Sequence, residues 1–187
     1  MTAFRSPDAV DPRAVISFWR AAGPARWFSQ DERFDALVLM RLGTLHAWAA
    51  IGALDHLART PEGSLALLIL LDQAPRNMFR GSARAFETDA DARDVAEHAI
   101  DRGFDRRVPY ALRSFFYLPF MHSENLEDQA LCVELYRRAG DMENLRWAEL
   151  HRDIIEKFGR FPHRNALLGR DTTAEEGRYL DEGGFRG

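Results

Sequence analysis

Apolar residues recur along this chain at intervals of three and four, the spacing that gathers side chains on one face of an α-helix. Val15, Ile16 and Trp19 form the first such face. Asp11-Pro12 precedes it with a capping carboxylate and a proline suited to the first helical position, and Gly23-Pro24 ends it. Ser29 to Glu32 has the spacing of a capping box and predicts a second helix striped by Phe34, Leu37, Val38, Leu42, Leu45 and Trp48 or Ala49. Thr60-Pro61 opens a third helix, apolar on every side as far as Leu71, as suits the middle of a packed domain. Pro75 is expected to stop or kink it.

Thr88 is expected to cap a helix running to Gly103 with Val95, Ala99 and Ile100 inward, and Pro109 to begin one carrying Leu112, Phe115, Phe116 and Leu118. Ser123 or Asn125 caps the next, which shows Leu126, Ala130, Val133 and Tyr136 on one face and ends at Gly140. Asp141 opens a helix through Phe158 with Leu145, Ala148 and Ile155 aligned. Thr173 to Glu176 is a second capping box, and Gly183-Gly184 closes the last helix. No stretch alternates apolar and polar residues as a strand would. The pattern predicts an all-α fold of about eight helices in antiparallel hairpins. Such an array is tetratricopeptide-like and right-handed, without a clean repeat register. One domain is expected over 1–187, with 1–10 and 183–187 as flexible ends.

Composition narrows the class. Ala and Leu far outnumber Val, Ile and Thr, which disfavours a β fold. At 46% hydrophobic and 29% charged residues the chain is neither disordered nor a membrane protein. The apolar runs Leu65 to Leu71 and Phe115 to Met121 are far too short to span a bilayer. Arg5, Asp8 and Asp11 stand where an export signal needs apolar residues, so a cytoplasmic protein is expected. The single cysteine, Cys132, excludes an internal disulfide and any multi-cysteine metal site. A net charge of −4 argues against nucleic acid as a partner. Every cationic residue but Lys157 is arginine, the better residue for a bidentate grip on carboxylate or phosphate.

Four groups of polar residues fit a plain core poorly. Asp72 continues the buried face of the third helix in its last turn, where the helix dipole disfavours an anion. Arg76 and Arg80 are its candidate partners, with Gln73 and Asn77 beside them. His122-Ser123-Glu124 follows an apolar run at a helix start, where free N–H groups favour anions, and Ser123 is readable as a cap. Gln129 shares a face with Val133 and is expected to project inward. His151 lies between Trp147 and Ile155 on an inward face. Around a helix break, Arg160, His163, Arg164 and Asn165 alternate with aromatic residues. No pair of histidines or of glutamate and histidine has metal-ligand spacing on one turn, so no metal is assigned.

Three of these segments together resemble a bacterial family, the domain of unknown function 924. They are Leu70-Leu71-Asp72-Gln73-Ala74-Pro75-Arg76-Asn77, Leu118 to Glu124 with Asp128-Gln129, and Phe158 to Asn165. The resemblance extends from Val15 to Glu176 and departs from the family's pattern at Ala74, where a bulky aromatic would precede the proline. It implies a tetratricopeptide-like helical domain and supplies no reaction, cofactor or catalytic residue. Two functions follow from the residues. One is a binding module for a peptide, a protein partner or a small anionic ligand, held by Arg76, Arg80, Arg160 and Arg164. The other is a hydrolytic or acid–base enzyme in which Asp72, His122, Glu124 and His151 share a pocket. The cofactor and the oligomeric state are left unassigned.

Overall fold

The computed structural model describes residues 6–187, and all regular structure among them is helical. They divide into two compact units. The first comprises the described residues up to Arg80 together with Arg84–Pro119, and the second Gly81–Ala83 with Phe120–Gly187.

The first unit is built from α1 (Pro12–Ala22), α2 (Glu32–Ala50), α3 (Pro61–Leu68) and α4 (Asp89–Asp101). Asp11 starts α1 as its pattern requires, accepting the Arg13 N–H. α2 differs from expectation: its cap is Asp31, which accepts from Arg33 and Phe34, while the Ser29 hydroxyl is turned back to the Arg26 carbonyl. A single turn, Pro24–Trp27, takes up the chain before it and leaves Asp31 as the first residue free to cap. α3 packs against α1 and α4, residues 69–78 beyond it pack against α2, and Leu65 to Leu71 are all buried, as an all-round apolar stretch demands. In α4 the buried positions are Ala92, Ala96 and Ala99, whereas Val95 and Ile100 are half-buried. Trp19, Phe34 and Phe115 meet ring to ring at 5.9 and 6.2 Å.

Pro75 does not stop α3. The chain passes through a π-helical turn, Ile69–Gln73, in which the Ala74 N–H bonds to the Ile69 carbonyl, and continues as Ala74–Met78. Pro75 has no N–H to give Leu71, so that carbonyl needs another donor. Thr88, expected to cap α4, turns its hydroxyl to the Leu71 carbonyl instead. His46 gives its Nδ1 proton to the Leu70 carbonyl at 2.9 Å, and Arg76 donates to that of Asp72 at 2.7 Å. Three consecutive carbonyls at the irregular turn thus each take a hydrogen bond from a side chain.

The second unit holds an antiparallel hairpin, α5 (Leu126–Ala139) and α6 (Met142–Phe158), a 3-10 turn at Pro162–Arg164, and α7 (Ala174–Asp181). Gly140, at a φ of 70°, turns the hairpin, and Asp141 caps α6. Asn125 caps α5, accepting from Glu127 and Asp128. The buried face of α5 is rotated from the predicted one. Leu126 and Ala130 are exposed, while Gln129, Cys132, Val133, Leu135 and Tyr136 are buried. Thr173 and Glu176 make the predicted capping box of α7. Ile154, Ile155 and Phe161 form a core on which Phe158, Tyr179 and Phe185 pack.

Of the two ends, residues 1–5 lie outside the described residues, Pro7–Ala9 form a 3-10 turn and Val10 is buried. Among the described residues no helix is long and apolar enough to cross a membrane.

Candidate functional site

In the first unit the π-turn sets Asp72, 1% exposed, against Arg76 at 3.2 Å, and the Gln73 amide donates to the same carboxylate. Arg76 also forks onto Asp89 at 3.0 and 3.1 Å. Burial opposes its charge, and the two carboxylates more than restore it, so its pKa is raised. Arg80 is not a partner of Asp72. It grips Asp35 at 2.7 and 3.0 Å, and Asn77 donates to the same carboxylate at 2.8 Å. Burial would lift the Asp35 pKa, but these hydrogen bonds hold it below the ordinary carboxylate value. Asp35 and Asp89 both sit in the first turn of a helix. The helix dipole alone accounts for an acid there, so nothing in the sequence singled them out.

In the second unit the predicted residues gather around Phe161, which is fully buried. Glu124 accepts the Phe161 N–H at 2.8 Å and is clamped by Arg170 at 2.6 and 3.0 Å. Burial pushes against its ionisation, yet the Arg170 and Phe161 bonds lower its pKa. Arg164 lies over the Phe161 ring at 4.5 Å and donates to the His122 carbonyl at 3.0 Å. Arg160 forks onto Glu176 at 2.6 and 2.9 Å, and Asn165 reaches that same carboxylate at 3.2 Å. The Arg160 bonds hold Glu176 down to about 2. Ser123 donates to Asp128 at 2.6 Å, and the buried amide nitrogen of Gln129 reaches the carbonyls of Phe120, Met121 and Ser123.

The histidines have a different environment. His151, 7% exposed, donates from Nδ1 to the Trp147 carbonyl at 2.7 Å, the tautomer that leaves Nε2 with its lone pair. Its ring meets Phe161 at 5.4 Å and Phe185 at 4.6 Å. The His163 ring meets the same two phenylalanines at 5.6 and 5.3 Å. Burial pushes His151 down to about 4, against the Trp147 bond. Burial and the neighbouring Arg164 push His163 to about 4 as well. Both imidazoles are therefore neutral at pH 7. Trp147, 49% exposed, completes the cluster at 6.5 Å from Phe185.

Trp147, Phe185, Arg170 and Glu176 belong to the site and are not among the residues that the sequence pattern places there. Trp147 falls on the same helical stretch as His151, a signal that was available; Phe185 lies beyond the last helix, where nothing announces a contact. Among the described residues no three His, Cys, Asp or Glu side chains are grouped to hold a metal ion. Cys132 is buried within α5, and burial pushes its thiol pKa up, which leaves it unreactive.

The fold and these motifs define the class of protein. The chain belongs to the family of bacterial proteins of unknown function DUF924, which it matches over residues 15–184. It is similar to a solved structure, the protein of unknown function ATU0120 from Agrobacterium tumefaciens, at 48% identity and a TM-score of 0.89. That likeness covers 92% of this chain and 97% of the other. No curated protein matches the chain.

Proposed function

We propose that the protein is a binding module and that its contact surface is the ring cluster of the second unit, in which Trp147 is exposed and His163 half-buried beside the buried rings of His151 and Phe161. The observation that carries this reading is the contrast between the arginines and the rings. Arg76, Arg80 and Arg160 each hold a carboxylate of the chain itself, and opening such a pair to receive an external anion carries the cost of an unpaired charge. The histidines carry no such obligation. They are neutral, they present apolar faces, and the buried His163 Nδ1 has no hydrogen-bond partner among the described residues. Such a surface suits a peptide or protein partner that brings an apolar group and a few hydrogen bonds. The α5–α6 hairpin, an antiparallel pair of the kind that tetratricopeptide folds repeat, supplies Trp147 and His151.

The test is a thermal-shift panel of peptides, phosphorylated metabolites and carboxylates, with each stabilising compound followed by NMR. The reading expects a ligand that shifts the Trp147 indole and the His151 and His163 imidazole signals, and whose binding is lost in a folded His163→Ala variant. A ligand that leaves those signals in place and is lost in Arg80→Ala would refute it. A second reading, acid–base catalysis, draws on the two neutral imidazoles beside Arg164. Its mark is a turnover abolished by His151→Gln without loss of folding.

A further inference from the structure

The segment that follows α7 closes over the ring cluster. Its path is set by four hydrogen bonds to α7. Gly183 N–H bonds to the Leu180 carbonyl at 3.2 Å and Gly184 N–H to that of Tyr179 at 2.9 Å. Phe185 N–H donates to the Tyr179 hydroxyl at 3.0 Å, and the Arg186 guanidinium to the Leu180 carbonyl at 2.6 Å. Gly183 has a φ of +89°, which side-chain-bearing residues rarely adopt. A Cβ on Gly184 would lie 2.5 Å from the Tyr179 carbonyl oxygen and 2.6 Å from its ring, so only glycine follows this route. Beyond the two glycines, Phe185 drops its ring between His151 and His163, and Gly187 lies so close that a Cβ there would stand 3.1 Å from His163 Nε2.

A ring carried on a helix or strand is held in place by that element's own backbone hydrogen bonds. Phe185 comes instead from an irregular segment lying across exposed Trp147, and it remains half-buried. Resting on the reading of the ring cluster as the contact surface, we propose that the cluster is a pocket for an aromatic side chain carried on an extended peptide. Phe185 fills that pocket in cis. The partner it fits is a segment with an aromatic residue flanked by glycine or another small residue, as in Gly184-Phe185-Arg186-Gly187. A tethered occupant acts at an effective concentration in the millimolar range, so the partner binds only to the fraction of molecules in which the segment is lifted.

The experiment uses the whole chain and, as probe, the pentapeptide Gly-Gly-Phe-Arg-Gly that copies residues 183–187. Phe185→Ala empties the pocket. Gly184→Ala keeps the ring but blocks its route and alters no pocket residue. Both are expected to bind the peptide about tenfold tighter than the unchanged chain, read from NMR titration of the His151 and His163 imidazoles. The peptide with alanine in place of phenylalanine should not bind. If the folded variants bind neither peptide, or bind both alike, the proposal fails. Should both variants fail to fold, hydrogen exchange on the unchanged chain decides. The amides of Gly184 and Phe185, both bonded to Tyr179, are expected to exchange through local opening well before those of α6, and equal protection overturns the proposal. If the pentapeptide fails while a panel ligand still shifts Trp147, His151 and His163, the aromatic-peptide claim falls and the ring cluster stands. If the panel ligand also binds elsewhere, the broader reading falls with it.

Discussion

At the scale of single residues, the fold depends on side chains that take over hydrogen bonds the backbone gives up. Thr88 holds the Leu71 carbonyl that Pro75 has no proton to serve. Thr88→Val keeps the shape and strands that carbonyl, with an expected loss of about 1–3 kcal/mol in denaturant unfolding. An unchanged midpoint would show that the carbonyl finds another donor. Asp72→Ala removes one of the two carboxylates on half-buried Arg76 and is expected to cost about 3 kcal/mol, the lower end for a broken buried pair because Asp89 stays in place and Arg76 keeps some contact with water. The Asp72–Arg76 contact was legible in the sequence since the two stand four apart along one helical path. The Arg76–Asp89 and Arg80–Asp35 pairs were not. They join residues 13 and 45 positions apart, and periodicity carries no information over that span.

Among elements, the helices themselves were plain in the sequence and their ends less so. Hydrophobic spacing marks a helix through the sum of many positions, whereas a cap depends on one side chain and its immediate geometry. The capping box of α7 is present because Thr173 and Glu176 satisfy each other's N–H groups. Thr173→Ala is expected to cost about 1 kcal/mol and to fray α7, measured by hydrogen exchange across Ala174–Gly177; unaltered exchange there would contradict it. The Ser29 box did not form because Asp31 stands nearer the helix and caps it alone. The buried face of α5 is shifted from Leu126 and Ala130 toward Cys132 and Leu135, while Gln129, inward as its spacing implies, is held by three carbonyls. α3 continues through Pro75 because tertiary donors outweigh a local rule about proline.

At the scale of the whole molecule, stability follows the neutral histidines. In the unfolded chain His151 and His163 titrate near the ordinary imidazole value, and in the folded protein near 4. Between these values the unfolded state binds more protons, so stability falls as pH falls through that window. His151 alone should account for about 2 kcal/mol between pH 7 and pH 5, and His163, nearer to water, for less. Glu124 and Glu176, whose pKa values are lowered by their arginines, add a further loss only at more acidic pH. Urea unfolding at pH 7 and pH 5 checks this, and the difference should shrink in His151→Gln. A midpoint independent of pH across that range would mean that the imidazoles are not held neutral.

The function of the candidate site was less legible than the fold. Arginine beside aromatic residues pointed to an external anion, but Arg160 is held by Glu176 and Arg164 donates to the His122 carbonyl, partners that only the folded chain brings near. The rings that remain come from α6, the Pro162–Arg164 turn and the segment after α7, which the sequence separates and the second unit assembles. The proposed pocket for an aromatic side chain depends on that assembly. Its most direct measurement is NMR of the His151 and His163 imidazoles in the folded Phe185→Ala chain as the Gly-Gly-Phe-Arg-Gly peptide is added. The expected result is a saturable shift of both signals toward their positions in the unchanged protein, absent with the phenylalanine replaced. Signals that stay in place at saturating peptide would contradict it.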